Sequence, residues 1–201
     1  MIYKLVCAGE DCFINNYKKD NDEYIIAIDG GYEVLKKYNI SINAFFGDFD
    51  SLDKQDIAIK NEHVYSSIKD YSDFDLAINY LINDLKISKE DMVLVYNGTG
   101  GRLDHYNAIL NTLIRNKEFN IKVINDRNLI FISDNNTFKK DSFKYISFFS
   151  IEKDTIISLE GFKYNIQNYK LNQFDNLCLS NEIINDGILM TNKKLLVIKA
   201  N

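Results

Sequence analysis

Proline and tryptophan are both absent from the 201 residues of this sequence, whereas tyrosine and phenylalanine each occur 13 times. We interpret these absences, together with the abundance of Lys, Asn and Ile, as a bias of the coding sequence that carries no information about function. Hydrophobic residues make up 46% of the chain and charged residues 26%, which is typical of a soluble globular protein. The length suffices for one large domain or two small ones.

Cysteine is scarce as well, with three residues at scattered positions: Cys7, Cys12 and Cys178. An odd number of cysteines argues against a disulfide framework, and the lack of a Cys-x-x-Cys pair argues against a structural zinc site. We therefore expect a cytoplasmic protein.

Long apolar runs and an excess of positive charge are also absent. No stretch approaches the roughly 20 apolar residues of a membrane-spanning helix, and the N-terminal run MIYKLVCAGEDCF meets charged residues too early for a secretory signal. The net charge of −5 argues against a general nucleic-acid binder, which carries a basic stripe. We therefore expect neither a membrane nor a nucleic acid as a partner.

The first 125 residues alternate between short apolar runs and helix-like segments. Strands are predicted at 2–7, 24–29, 44–46, 63–66, 92–96 and 121–124. Several of these runs are apolar throughout, as in a parallel sheet that is covered on both faces. Helical spacing of apolar residues predicts helices over 73–86 and 104–116, and Ser72 with Asp75 resembles a capping box. The pattern over residues 1–125 is typical of a doubly wound, mostly parallel α/β domain.

The pattern changes from residue 126 onward. Six short segments rich in β-branched or aromatic residues cover 128–133, 144–151, 155–161, 177–183, 187–191 and 194–199. Turn-prone Asn, Asp, Gly and Lys separate them, and no helix-length amphipathic segment intervenes. We therefore predict that residues 126–201 form a second, all-β domain, built as a sandwich or a barrel.

Acidic residues and glycines follow the predicted strands of the α/β half. The stretches are DGG (29–31), GDFDS (47–51), KDYSDFD (69–75) and NGTGGRLDH (97–105). Because ligands bind at the carboxyl ends of the strands in open α/β sheets, we expect these stretches to converge on one edge of the sheet.

Asp48 and Asp50 are candidate metal ligands. In an extended segment, two residues that are two positions apart direct their carboxylates to the same side. Mg²⁺ suits such a pair, because it takes one or two protein carboxylates and leaves its other positions to water and phosphate oxygens. The alternative is that both residues cap the following turn. Asp73, in the first turn of the next helix, either faces the metal or compensates the helix dipole.

The remaining polar residues of KDYSDFD also have alternative roles. Asp75 is the candidate helix cap, which leaves Asp70 to face the substrate. Lys69 either reaches a phosphate or is solvated.

The glycine-rich stretch NGTGGRLDH is suited to an anion. Its three glycines let backbone N–H groups approach a phosphate chain at a helix start, and Arg102 supplies a bidentate clamp for phosphoryl oxygens. Asp104 is the N-cap of that helix, a polar contact to a ligand, or both. His105 is a core, capping or catalytic residue. The stretch matches neither a P-loop nor a dinucleotide-binding fingerprint.

In this order and at these spacings, DGG, GDFDS, KDYSDFDLAI and GTGGRLDH resemble the thiamine pyrophosphokinase family. The later stretches KYISFF, LEGFKYNI, LSNE and KLLVI resemble the β-domain of that family, so the resemblance covers nearly the whole chain. It implies an enzyme that transfers the pyrophosphoryl group of ATP to the hydroxyethyl oxygen of thiamine and releases AMP.

The resemblance also implies roles for individual residues. Mg²⁺ would be held by Asp48, Asp50 and Asp73. The implied catalytic residues are Asp48, Asp50, Asp70, Asp73, Arg102 and Asp104, of which Asp70 and Asp104 would lie close to the substrate. The implied nucleotide-binding residues are Asp29, Gly30, Gly31, Lys69, Gly98, Thr99, Gly100, Gly101, Arg102 and His105.

In the family, two chains form the active site, which implies a homodimer. Ser180 and Asn181 would then reach thiamine bound at the α/β domain of the partner subunit. Some relatives stack thiamine on a tryptophan of the β-domain, and this chain has none. A tyrosine or phenylalanine takes that part, or the pocket is more open. No general base is identified, although Asp48 and Asp70 are candidates.

Two other functions are compatible with parts of the pattern. One is a pyrophosphokinase that acts on another alcohol, such as a hydroxymethyl-pterin; the β-domain with its SNE segment argues against it. The other is a non-catalytic sensor of nucleotide or thiamine diphosphate. Three convergent carboxylates argue against a sensor, because binding alone does not require them.

Overall fold

The computed structural model describes residues 1–47, 61–63 and 71–201 and divides into two units. In the first unit, Met1–Asp126, apolar runs of the sequence form a parallel sheet. The spatial order of its six strands is β4-β3-β2-β1-β5-β6, and all neighbouring pairs are parallel. The strands are β1 (Ile2–Val6), β2 (Glu23–Ile28), β3 (Ala44–Phe46), β4 (Asn61–His63), β5 (Met92–Tyr96) and β6 (Asn120–Ile124). The predicted strand 63–66 overlaps β4 only at His63, and 64–66 lie outside the described residues.

The centre of this sheet is fully buried. Leu5 of β1 pairs with Ile26 of β2 and with Val95 of β5, and all three side chains have no exposed surface. Burial on both faces explains why β5 is apolar throughout and does not alternate. The charged residue inside β1, Lys4, is buried and forms ion pairs with Asp20 and Glu23. The predicted doubly wound α/β fold class is confirmed.

Four α-helices connect the strands of the described part: α1 (Phe13–Asn16), α2 (Gly31–Lys37), α3 (Asp73–Asn79) and α4 (Leu103–Arg115). After α3 the chain continues as a π-helix over Tyr80–Asp84, so the predicted helix 73–86 is α-helical only in its first half. The predicted cap is confirmed, since the Ser72 hydroxyl accepts a hydrogen bond from the Asp75 backbone N–H at 3.1 Å. None of the described helices is both long and apolar enough to cross a membrane.

The second unit, Arg127–Asn201, is all-β and antiparallel. Strand β13 pairs with β7 and β9, while β11, β10, β12 and β8 form a separate four-stranded sheet in that order. The strands are β7 (Asn128–Ser133), β8 (Asn136–Phe138), β9 (Tyr145–Ser150), β10 (Thr155–Phe162), β11 (Ile166–Leu171), β12 (Ile183–Thr191) and β13 (Leu195–Ala200). Their buried side chains form one core that includes Phe148, Leu159 and Val197.

The structure corrects the strand predictions of this unit at three places, the first of which is the short strand β8, which was not predicted. The predicted strand 177–183 is mostly a series of turns, and it pairs with β9 as an isolated bridge between Asn181 and Ile146. Ser180 has a φ of 54°, which is incompatible with an extended strand. Strand β11 was not predicted from the sequence. Four consecutive residues in it are exposed, so its sequence shows no alternation of apolar and polar residues.

Candidate active site

A cavity of about 740 Å³ lies at the carboxyl ends of the parallel strands of the first unit. Its wall comes from the segments that follow β1, β2 and β5 and from the beginnings of α3 and α4, as expected for an open α/β sheet. The predicted site residues that line it are Asp29, Asp73, Gly98, Gly100, Gly101, Arg102 and His105. Four further predicted residues, Asp48, Asp50, Lys69 and Asp70, lie outside the described residues.

The loop after β5 is shaped by residues with a left-handed backbone. Asn97, Gly100 and Gly101 have φ angles of 53°, 82° and 64°. A Cβ atom on Gly100 would lie 2.6 Å from the Cβ of Glu10, whereas one on Gly101 would meet no atom within 4 Å. Gly101 therefore offers bare backbone at a place where an anion has room to approach.

The loop after β1 also belongs to the cavity wall, although Gly9 and Glu10 were not among the predicted residues. The Gly9 N–H donates to the carbonyl of Asn97 at 2.9 Å, and the Glu10 N–H donates to the carbonyl of Thr99 at 3.1 Å. A Cβ on Gly9 would lie only 2.2 Å from the Asn97 oxygen, so this close contact requires glycine. The sequence feature that could have identified this loop is a glycine shortly after a buried strand, as in DGG.

Arg102 and Asp104 form an exposed ion pair at the start of α4. Arg102 Nε and Nη2 lie 3.2 and 2.6 Å from the two carboxylate oxygens of Asp104, and the side chains are 70% and 65% exposed. Hydrogen bonding to Arg102 lowers the pKa of Asp104 to about 2. The N-cap interpretation of Asp104 is wrong: Arg102 occupies that position with extended backbone, and Asp104 already lies inside the helix. Asp104 is not among the residues that line the cavity.

Carboxylates on the cavity wall provide candidate ligands for a metal. Asp73 is the first residue of α3, and Asp29, with a φ of 49°, directly follows β2. Within residues 1–47, 61–63 and 71–201, no three His, Cys, Asp or Glu side chains cluster as a metal site. The carboxylates of the wall are Glu10, Asp29 and Asp73, and one or two carboxylates match the donor set of Mg²⁺, which keeps water and phosphate oxygens as its other ligands.

Three predicted nucleotide-binding residues do not line the cavity. A Cβ on Gly31 would lie 1.8 Å from the carbonyl oxygen of Val6, and one on Gly30 would lie 3.0 Å from Ala8. These glycines therefore let α2 pack closely against the end of β1. The Thr99 hydroxyl accepts a hydrogen bond from the Asn125 side chain at 2.7 Å. In the described structure all three residues support the loops around the cavity.

Ser180 and Asn181, the predicted thiamine contacts, lie in the second unit. Ser180 is exposed, and its N–H donates to the Ser147 hydroxyl at 2.9 Å. Asn181 is 3% exposed, and its amide group accepts from the N–H of Tyr164 at 3.0 Å and donates to the carbonyl of Tyr164 at 2.8 Å. Asn181 thus holds the backbone of Tyr164, a residue that is 61% exposed.

Comparison with known proteins finds relatives along most of the chain. A family model described as thiamin pyrophosphokinase, catalytic domain, matches residues 16–125, and one described as thiamin pyrophosphokinase, vitamin B1 binding domain, matches residues 135–196. The thiamine pyrophosphokinase of Bacillus subtilis (strain 168) is 32% identical over 193 residues, which cover 90% of this chain and 88% of the relative. Thiamin pyrophosphokinase 1 of Caenorhabditis elegans is 27% identical over 206 residues, which cover 94% and 84%.

Solved structures share the fold over the full length of the chain. The crystal structure of thiamine pyrophosphokinase from Bacillus subtilis superimposes with a TM-score of 0.86 at 26% identity and covers 100% of this chain and 99% of the other. The structure of thiamin pyrophosphokinase from Geobacillus thermodenitrificans gives a TM-score of 0.84 at 23% identity, with 100% and 98% covered.

Proposed function

Because the chain belongs to the thiamine pyrophosphokinase family, we propose that it is an enzyme that transfers the pyrophosphoryl group of ATP to thiamine. The products are thiamine diphosphate and AMP. The observation that carries the proposal is the cavity in the first unit, which is lined by Asp73, Arg102 and the bare backbone of glycines. This unit contains the part of the chain that matches the catalytic domain of the family.

The phosphate chain of ATP is bound by the loop after β5 and the start of α4. Backbone N–H groups near Gly101 and the positive end of the α4 dipole favour an anion there. Arg102 clamps phosphoryl oxygens with its planar guanidinium group. Its ion pair with Asp104 is exposed and therefore weak, so Arg102 exchanges this partner for phosphate at small cost.

Mg²⁺ is the proposed cofactor, with Asp73 as a ligand together with Asp48 and Asp50, which lie outside the described residues. When bound, Mg²⁺ neutralises charge on the phosphates.

The transfer itself is a displacement at phosphorus. The thiamine hydroxyl oxygen forms a bond to the β-phosphorus, the bond from that phosphorus to the oxygen bridging to the α-phosphate breaks, and AMP leaves with that oxygen. The hydroxyl proton passes to solvent water in the same process. Catalysis comes mainly from positioning and charge neutralisation, which Arg102 and the glycine loop supply.

The proposed reaction is tested by incubating the protein with thiamine and MgATP and measuring thiamine diphosphate and AMP. We expect equal amounts of both products, and AMP release that depends on thiamine. A panel with a hydroxymethyl-pterin and other alcohols tests the substrate class. Binding of nucleotide without thiamine-dependent AMP release would indicate a sensor, and preference for another alcohol would replace thiamine as the substrate.

We propose further that the chain forms a homodimer with shared active sites, in which the second unit of each chain contributes to thiamine binding. Phe174 of that unit supports the proposal: it is 96% exposed and has a φ of 70°, a strained conformation for a bulky residue. Leu177 and Leu179 in the same segment are 56% and 53% exposed. Burial of these apolar side chains against a second copy would offset the cost of exposing them.

Tyr164 is the proposed aromatic contact for thiamine in place of the absent tryptophan, with Asn181 holding it in position. The shared site is tested by mixing an Asp73→Asn chain with a Tyr164→Ala chain, each inactive or impaired alone. Hybrid dimers would carry one site with both changes and one site with neither, so we expect activity to return on subunit exchange. No recovery in a mixture shown to contain hybrids would mean that each site is built within one chain.

A cytoplasmic location is part of the same proposal. The three cysteines, Cys7, Cys12 and Cys178, are all free and buried, which suits a reducing compartment.

Burial raises the pKa of the Cys7 thiol to about 12, so this residue of the cavity wall is a neutral thiol and not a nucleophile.

A further inference from the structure

Asp75 connects the two helices that begin at the candidate active site. Its Oδ2 atom accepts a hydrogen bond from the Ser72 hydroxyl at 2.9 Å, at the start of α3. Its Oδ1 atom accepts hydrogen bonds from two side chains of α4, the Thr112 hydroxyl and the Arg115 guanidinium. One carboxylate therefore binds the capping residue of α3 and two side chains of α4 at the same time.

The contact is partly buried and reinforced by a third residue. The Asp75 side chain is 13% exposed, that of Arg115 is 58% exposed, and Thr112 is 1% exposed. Arg115 Nη2 also donates to the Thr112 hydroxyl oxygen at 3.1 Å. A carboxylate that accepts charge-assisted hydrogen bonds in a partly buried setting is held more firmly than an exposed ion pair. Asp75 thus holds α3 against the last two turns of α4.

Both helices begin at the cavity, whereas the three side chains that connect them do not line it. Asp73 at the start of α3 and Arg102 at the start of α4 line the cavity, and Asp75, Thr112 and Arg115 are not among its lining residues. The candidate metal ligand and the candidate phosphate clamp therefore keep their relative position only while α3 and α4 keep theirs.

We propose that the ion pair between Asp75 and Arg115 is a positioning device, which fixes Asp73 in relation to Arg102 without touching the substrate. This inference rests on the proposed function. A misplacement of about 1 Å in an active site costs roughly 100-fold in rate, so a slight loosening of α3 against α4 is sufficient for a measurable effect.

The test compares Asp75→Asn, Arg115→Gln and the double variant with the parent protein. For each single variant we expect a decrease of about tenfold in kcat/KM for MgATP, and a KM for thiamine within about twofold of the parent value. The double variant should be no worse than the single ones, because all three lose the same link. Arg115→Lys keeps the charge and should recover part of the loss.

A second measurement does not depend on turnover. Calorimetric affinity for a non-hydrolysable ATP analogue with Mg²⁺ should fall by a similar factor in Asp75→Asn and Arg115→Gln. Glu33→Gln is the matched control, because it removes an exposed carboxylate from the first turn of α2. Its kinetics and its affinity for the analogue should stay within about twofold of the parent values.

Two outcomes separate this inference from the proposed function. If the parent enzyme is active and the variants lose thermal stability but keep the parent kinetics and analogue affinity while folded, the ion pair is only structural and the positioning role is overturned. If the parent releases no AMP with thiamine, the proposed function fails, and the analogue affinities of the same variants still decide whether the ion pair positions a nucleotide site.

Discussion

The two units of the chain use their polar residues in opposite ways. In Met1–Asp126 the strands are parallel, so their carboxyl ends share one edge, and the segments that follow bring Asp29, Asp73 and Arg102 to one cavity. In Arg127–Asn201 the strands are antiparallel, so successive strand ends lie at alternate edges. Polar residues that follow strands are therefore collected in the first unit and dispersed in the second.

Asparagines of the second unit show what dispersed polar residues do. The side-chain oxygens of Asn165, Asn181 and Asn192 accept hydrogen bonds from the backbone N–H groups of Phe162, Tyr164 and Ile156 at 3.1, 3.0 and 2.8 Å. Each side chain completes a turn or a strand end that the sheet leaves without a partner. A polar residue after a strand is thus a guide to chemistry in the parallel unit and a guide to turn structure in the antiparallel one.

The strongest test of this difference removes one carboxylate from each unit. Asp73→Asn is expected to lower turnover by roughly 100- to 1,000-fold, because Asp73 is a proposed Mg²⁺ ligand. Asp134→Asn, at an exposed position of the second unit, should change turnover by less than about twofold. AMP release measures both, and thermal unfolding shows that both fold. Near-normal turnover of Asp73→Asn would show that Asp73 is not a metal ligand and only compensates the dipole of α3.

A second test removes an asparagine that supports a turn. Asn181→Ala leaves the N–H and carbonyl of Tyr164 without their partners, so we expect the free energy of unfolding to fall by about 2 kcal/mol. Asn185→Ala, at an exposed position of the same unit, should change it by less than about 0.5 kcal/mol. Urea unfolding measures both. If Asn181→Ala kept full stability and only weakened thiamine binding, Asn181 would be a ligand contact and not a support.

Arg102 tests whether the first unit needs geometry or only charge. Arg102→Lys keeps the positive charge but loses the planar fork, so kcat/KM for MgATP should fall by about tenfold, and Arg102→Ala should be worse. Lys163→Ala is the counterpart in the second unit, where it removes an exposed ion pair with Glu182. It should leave kcat/KM for MgATP unchanged. Parent-like kinetics of Arg102→Lys would show that a point charge suffices.

The smallest expected effect concerns exposed ion pairs, whose contribution to the free energy of unfolding should be similar in the two units. Arg102 lowers the pKa of Asp104 from 3.8 to about 2, and Lys163 lowers the pKa of Glu182 below its usual value of 4.5. A lowered carboxyl pKa adds stability that is complete above the unfolded-state pKa and is lost as pH falls through the folded-state pKa. Both pairs are exposed, so the added stability is small.

Urea unfolding of the parent, Asp104→Asn and Glu182→Gln at several pH values measures this effect. For Asp104→Asn, the difference from the parent should be constant above about pH 5 and should disappear between about pH 4 and about pH 2. Glu182→Gln should show an equally small difference at neutral pH. A large difference for one variant alone would mean that the two units also differ in the strength of their surface ion pairs.

Much of the first unit could be predicted from its sequence. Predominantly apolar runs marked β1, β2, β3, β5 and β6 within one or two residues, since burial on both faces leaves few polar positions. The cap at Ser72 was also predictable, because capping depends on residues three positions apart. Local rules were weaker in the second unit, where β11 shows no alternation and Phe174 and Ser180 have left-handed φ angles that their residue types do not suggest.

The sequence by itself determined which segments carry the chemistry of this protein, but the tertiary structure decided which residue of each segment faces the cavity. Asp73 and Asp75 are the same residue type two positions apart, yet Asp73 lines the cavity and Asp75 binds Ser72, Thr112 and Arg115. The residues near Asp75 in the sequence do not predict its pairing with Arg115, which is 40 residues away. Hydrophobic periodicity and capping act over a few residues and can be recognised locally, whereas the partner of a charged side chain depends on which helices the fold places side by side.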